Sequence, residues 1–126
     1  LINNVIRFNA TDLPTKQAAF SQYDRPKALC RYAAIADHLK LGGKTDEEKV
    51  EKLLEKITHL KKTIGIPASI QEAGVNEADF LAKLDELAED AFDDQCTGAN
   101  PRYLLINELK QLFLDSYYGR DYSDNN

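Results

Sequence analysis

Residues 89–102 read EDAFDDQCTGANPR, and the way this stretch folds sets the reading of the whole chain. Ala91 and Phe92 close an apolar helical face, and Asp93 and Asp94 follow it. Gly98 offers the φ > 0 conformation that stops a helix at little steric cost. Asn100 is a good N-cap residue, and Pro101 stands at the first helical position, where its missing N–H is no loss. The stretch therefore predicts a tight helix–loop–helix corner with Cys96 at its bend. Asp93 and Asp94 are expected to take nearby donors, Arg102 among them.

Working outward, Leu105, Ile106, Leu109, Leu112, Phe113 and Tyr117 recur at helical spacing and predict a last helix that starts at Pro101. The tail from Tyr118 to Asn126 is polar and aromatic and is expected to pack only in part. On the other side of the corner, Asn76 caps a helix that carries Phe80, Leu84, Leu87 and Ala91 on one line, with Leu81 and Ala88 beside it. Ser69 caps a brief turn closed by Gly74. Thr45-x-x-Glu48 is a capping box. It opens a one-faced helix with Val50, Leu53, Leu54, Ile57, Leu60 and Ile64, stopped by Gly65 and expected on the outside of the fold. Asp24 is read as the cap of a helix from about Pro26 to Leu41, with Leu29, Tyr32, Ala33, Ala36 and Leu39 on one side and Gly42-Gly43 as its stop. Before it, Asp12 and Thr15 offer caps around a turn at Pro14, and a short helix covers Lys16 to Gln22. The first helix runs from Leu1 to about Phe8, with Leu1, Ile2, Val5, Ile6 and Phe8 as its apolar face. The chain begins without methionine inside that pattern, which reads as a cut through a helix. Residues 1–126 together predict one all-α, bundle-like lobe.

Composition narrows the function classes. With 43% hydrophobic and 29% charged residues, the chain fits an ordinary soluble globular piece. A net charge of −5 argues against a nucleic-acid partner. Lys49, Lys52, Lys56, Lys61 and Lys62 are interleaved with glutamates and read as a solvated helix face. No apolar run reaches the ~20 residues of a membrane span, and no signal peptide opens the chain. Cys30 and Cys96 form no metal-binding pair, and reduced thiols in a cytoplasmic protein fit them best. Cys30 is read as inert on an apolar helix side. For Cys96, a reactive thiol at a bend and a small semi-apolar filler both stay open. His38 and His59 have no second histidine at i+3 or i+4, so they do not make a catalytic metal site. The acids from Asp85 to Asp94 have helical spacing and lack the glycine of a calcium loop.

The wording of several segments adds what spacing does not. Asp93…Cys96-Thr97-Gly98-Ala99-Asn100-Pro101-Arg102 closely resembles the C-terminal signature of iron-dependent alcohol dehydrogenases. Phe8-Asn9-Ala10-Thr11-Asp12-Leu13-Pro14-Thr15-Lys16-Gln17, Phe20-Ser21-Gln22-Tyr23-Asp24-Arg25-Pro26, Ile35-Ala36-Asp37-His38-Leu39 and Tyr117-Tyr118-Gly119-Arg120-Asp121-Tyr122 are similar to the bifunctional aldehyde–alcohol dehydrogenases. The resemblance is weakest from Leu41 to Lys62. It implies the helical C-terminal lobe of the alcohol dehydrogenase half of a cytoplasmic fermentation enzyme, which reduces acetyl-CoA to acetaldehyde and then to ethanol with NADH. In that family ferrous iron is held by an aspartate and three histidines that precede the segment matching Leu1, and the NAD site lies mainly in an upstream nucleotide-binding lobe. Neither cofactor is then expected on this chain alone, and the chain alone is expected to be inactive. The resemblance places Cys96, with Thr97 and Gly98 as neighbours, in the lining of the substrate cleft, and Asn100, Pro101 and Arg102 as braces of the corner. Such enzymes stack into homo-oligomers and filaments. The tail carries Tyr117, Tyr118 and Tyr122, read as exposed, and Tyr118 and Arg120 are the candidate assembly contacts. A non-catalytic helical assembly module is the alternative reading.

Overall fold

The computed structural model describes residues 1–11 and 27–124. Among them lie five α-helices, α1 (Ile2–Asn9), α2 (Ala28–His38), α3 (Asp46–Thr63), α4 (Glu77–Asp93) and α5 (Ile106–Tyr118), a 3-10 turn at Thr97–Ala99, and no strand. The all-α expectation holds. The expected turn at Pro14, the short helix from Lys16 to Gln22 and the Asp24 cap fall outside the described residues.

α2 packs along α3 and α4 along α5, and α1 touches both α3 and α5. The lobe is thus two helical hairpins bridged by the first helix. Ile6, Leu29, Val50 and Leu54 form a shared core where α1 meets the first hairpin, with Ala10, Tyr32 and Ile57 packed against it. In the second hairpin the rings of Phe80 and Tyr117 stack at 4.2 Å, with Ala88, Leu109 and Leu112 also buried. Each fully buried Val, Leu, Ile or Phe among them contributes roughly 1.5–3 kcal/mol by leaving water.

Local chemistry fixes most ends. The Thr45 side chain accepts from the Glu48 N–H at 3.2 Å. The Glu48 carboxylate reaches past Thr45 to the Lys44 N–H at 2.7 Å, so the expected box closes one residue early. Asn76 accepts from the Asp79 N–H at 3.2 Å and starts α4 as expected. The Ser69 turn also forms: Ser69 Oγ accepts from Glu72 N–H, Glu72 accepts from Ala68 N–H, and Gly74 closes it at φ +92. α3 ends at Gly65 (φ +75) with Ile66 N–H bonded to Lys61 O and Gly65 N–H to Lys62 O. That paired pattern is how a left-handed residue satisfies the last carbonyls of a helix.

Four sequence expectations are corrected. α2 stops before Gly42-Gly43, because Lys40 itself takes the left-handed conformation (φ 55) and Lys40 and Leu41 N–H bond back to Asp37 O and Ala36 O. Leu39 becomes a cap residue and is exposed. The inner face of α1 carries Asn4, Ile6, Phe8 and Asn9, while Leu1 and Ile2 are exposed. On α3, Val50, Leu53 and Leu54 are buried, whereas Leu60 and Ile64 face outward. An 11-residue α2 spans about 16 Å and cannot cover the last third of an 18-residue α3 of about 27 Å. On α4, Ala88 is buried and Leu87 is exposed, so α5 lies on the Phe80–Leu84–Ala88 ridge and not on the line through Leu87.

Candidate functional site

The corner between α4 and α5 is longer than its sequence suggests. Asp94 leaves the helix at ψ 129 and ends α4. Its carboxylate accepts from the Cys96 N–H at 2.7 Å, and its own carbonyl accepts from the Thr97 N–H at 3.0 Å. An aspartate folding onto the backbone two residues ahead is a turn device that needs no glycine. Gly98 accordingly sits within the 3-10 turn and is not among the glycines at positive φ, so it does not act as the stop. The Thr97 hydroxyl donates to Ala91 O and ties the turn to the last carbonyls of α4.

Asn100 caps no helix. It is extended (φ −63, ψ 138), and α5 begins only at Ile106, where Glu108 accepts from the Leu105 N–H at 2.8 Å. The reason is tertiary: the Asn100 amide exchanges two hydrogen bonds with Asn9, at 2.8 and 3.0 Å, and donates to Arg102 O. These bonds turn the side chain toward α1 and away from the amides of a helix start. Pro101 follows at a bend and is exposed. Ring contact between Phe92 and Tyr103, edge to face at 6.4 Å, closes the corner from the other side.

Arg102 is the strongest brace. Its guanidinium lies 3.9 Å from the Phe8 ring centre and donates to Phe8 O at 2.8 Å, to both oxygens of Asp124 at 2.7 and 3.2 Å, and to Glu108 at 3.3 Å. Burial works against its charge, yet the hydrogen bond and charge of Asp124, with Glu108 behind it, hold its pKa above the ordinary value. The expected partners Asp93 and Asp94 play no part in this. Tyr122 packs edge to face on Phe8 at 5.5 Å, and burial, then the charge and hydrogen bond of Asp124, push its pKa up to about 12.

Cys96, Thr97 and Gly98 are thus presented together on a short turn held by α4, and Asn100 and Arg102 fasten that turn to α1 and the tail. Cys96 is exposed, which removes the filler reading; Cys30 is exposed too, its thiol 3.2 Å from Lys27 O, rather than set in an apolar face. Behind the corner lies a cavity of 160 Å³ lined by apolar side chains such as Val5, Phe8, Ala91 and Leu112, with Asn100 at its edge. Tyr118 and Arg120 stand elsewhere, at the end of α5: Arg120 lies 4.4 Å over the Tyr118 ring, and the Tyr118 hydroxyl donates to Glu77. Tyr117, read as exposed, is fully buried, and its hydroxyl donates to Val75 O at 2.9 Å. Sequence reasoning missed Asn4 and Asn9. Two asparagines interrupting the apolar face of the first helix were the available signal.

His38 and His59 are exposed on α2 and α3. Among the described residues no group of three or more His, Cys, Asp or Glu is placed to hold a metal ion, so these side chains do not fit an iron site by themselves. No described helix is long and apolar enough to cross a membrane.

Residues 1–117 match the model of the Fe-containing alcohol dehydrogenase family, C-terminal. The chain is 68% identical over 124 residues to the bifunctional aldehyde-alcohol dehydrogenase AdhE of Escherichia coli (strain K12), covering 97% of this chain and 14% of that protein. It is 54% identical over 117 residues to the aldehyde-alcohol dehydrogenase of Clostridium acetobutylicum, covering 93% of this chain and 14% of the relative. It is 39% identical over 100 residues to the NADPH-dependent butanol dehydrogenase of Clostridium saccharobutylicum, covering 79% of this chain and 26% of the relative. The chain therefore spans 14% of the length of the bifunctional relatives. On the family match over residues 1–117 and an all-helical structure among the described residues, the chain belongs to the Fe-containing alcohol dehydrogenase family, as part of its C-terminal helical region.

Proposed function

We propose that this chain is part of an iron- and NAD-dependent alcohol dehydrogenase, the acetaldehyde-to-ethanol half of a cytoplasmic bifunctional enzyme that also reduces acetyl-CoA. Its share is one wall of the substrate cleft. The observation that carries this reading is the presentation of Cys96, Thr97 and Gly98 on a turn held to α4 by Asp94 and Thr97, with the Asn100 side chain just beyond it tied to α1. A cleft wall has to hold its shape while substrate arrives, because small misplacements of a bound reactant lower rates steeply. Iron and the nicotinamide cofactor belong, in this reading, to other parts of the polypeptide, with the nucleotide-binding lobe upstream as the lobe's partner. The chain alone neither binds them nor turns over. The relatives' names, aldehyde-alcohol and butanol dehydrogenases, support the substrate class.

The test is Cys96→Trp in the full-length protein. An indole on the cleft wall lowers alcohol dehydrogenase turnover by roughly a hundredfold, with assembly unchanged by sedimentation. A wild-type rate would remove Cys96 from the cleft.

A second reading, a homo-oligomer or filament contact at Tyr118 and Arg120, is favoured by the Arg120 guanidinium stacked on Tyr118 at the end of α5. Arg120→Ala is the cleaner variant, since Tyr118 also holds Glu77 across the α4–α5 hairpin. It should disperse higher oligomers while leaving turnover per site intact; unchanged assembly would discard the contact.

A further inference from the structure

The turn that carries Cys96 is shaped by α4 and placed by α1. Three bonds tie it to α4: the Asp94 carboxylate and carbonyl accept from the Cys96 and Thr97 N–H groups, and the Thr97 hydroxyl donates to Ala91 O. None of them spans more than six positions. They shape the turn on its own helix without fixing where it stands against the rest of the lobe. That is settled just beyond the turn, at Asn100, whose N–H bonds Thr97 O at 3.1 Å while its side chain reaches α1.

The α1 residue it meets is Asn9, the last of that helix and only 3% exposed. Asn100 Nδ2 donates to Asn9 Oδ1 at 2.8 Å, and Asn9 Nδ2 donates to Asn100 Oδ1 at 3.0 Å. Asn100 Nδ2 also donates to Arg102 O at 2.6 Å. A backbone carbonyl only accepts, so the orientation of both amides is fixed. Such a reciprocal pair adds modest net stability, because each amide exchanges water for its partner, but it admits one geometry. Apolar side chains at the same place could slide past each other; a closed pair of directional bonds cannot. An aspartate at position 9 would keep one bond and set two oxygens face to face, and an alanine would leave half of the Asn100 amide without a partner.

We propose that Asn9 is a positioning residue for the dehydrogenase. Through Asn100 it fixes where Cys96, Thr97 and Gly98 stand in the substrate cleft, and so how closely the aldehyde is held. This role rests on the turn being a wall of that cleft.

Steady-state reduction of acetaldehyde by the full-length enzyme tests it, with Asn9→Asp and, as a second variant that buries no charge, Asn9→Ala. Both should raise the KM for acetaldehyde roughly tenfold. The kcat and the KM for the nicotinamide cofactor should stay nearly unchanged. A residue that merely held the fold together would lower kcat per chain through a smaller folded fraction and leave KM where it was. Amide hydrogen exchange reads the placement without activity: the Cys96, Thr97, Ala99 and Asn100 N–H groups should exchange faster in both variants, while α4 keeps its wild-type protection. A wild-type acetaldehyde KM in a folded variant, or unchanged exchange in the turn, would overturn the proposal. Wild-type turnover by Cys96→Trp would remove the cleft wall itself and the role of Asn9 in the reaction with it. An impaired Cys96→Trp beside unimpaired Asn9 variants would keep the wall and discard the positioning alone.

Discussion

Arg102 joins three parts of the lobe from a side chain only 11% exposed: it stacks on Phe8 of α1, bonds Asp124 of the tail and touches Glu108 of α5. Truncation strands a buried carbonyl and removes the partner of Asp124. Arg102→Ala should therefore lower unfolding stability by about 2–4 kcal/mol, measured by denaturant titration. Arg102→Lys should recover little of the loss, because an ammonium lacks the planar fork that reaches several acceptors at once. Tyr122 makes the matching prediction in pH. Its pKa is about 12 in the folded lobe against 10.0 for an ordinary tyrosine, raised by burial first and then by Asp124. The folded state favours the neutral phenol. Its stabilisation is complete below pH 10 and is lost as pH rises through about 12, where the unfolded chain has already ionised. Tyr122→Phe should flatten the fall of stability across that window. An unchanged alkaline limb would show that the phenol titrates freely.

At the scale of the element, helix ends follow from identifiable residues. Asn76→Ala removes the acceptor for the Asp79 N–H and should cost about 1 kcal/mol. Lys40→Gly should do the reverse. A lysine at φ 55 carries steric strain that glycine lacks, and the substitution should stabilise the lobe by about 0.5–1 kcal/mol in the same titration. These ends also show where sequence reading worked. Asn76, Thr45, Ser69 and Gly65 act within one turn of their own positions, so their roles were visible in the chain. Asn100 and Gly98 had the same local credentials and different fates. Asn100 is held by Asn9, some ninety positions away in the chain, and Asp94 ends α4 before Gly98 is needed.

Across the whole molecule, Asn4 gathers both ends of the chain. Its amide donates to Ser116 Oγ at 3.2 Å and to Arg120 O at 3.0 Å, and its oxygen accepts from the Tyr122 N–H at 3.1 Å. Asn4→Leu leaves those groups buried without partners and should loosen the tail from α1. Faster hydrogen exchange at Tyr122, with α2 and α3 unaffected, would report it. Leu60, Ile64 and Ile66 stand exposed at and beyond the uncovered end of α3, Ile64 at 61%. Apolar surface of this kind favours self-association. The isolated chain should sediment as a dimer or larger, and Ile64→Lys should shift it toward monomer; a wild-type monomer would place no oligomer contact there.

Sequence by itself determined the helical class, the caps whose partners lie within one turn, and the signature that marks the family. These depend on spacing, on side chains that bond their own backbone, and on residue identity. Tertiary structure alone decided which stretch of each apolar face is covered, where α5 begins, and which polar side chains brace the corner. Coverage depends on the length of the neighbouring helix, as α2 shows against α3. The bracing depends on bonds from Asn4, Asn9 and Arg102 to groups far along the chain, and no local pattern encodes a partner that only the packed fold brings within reach.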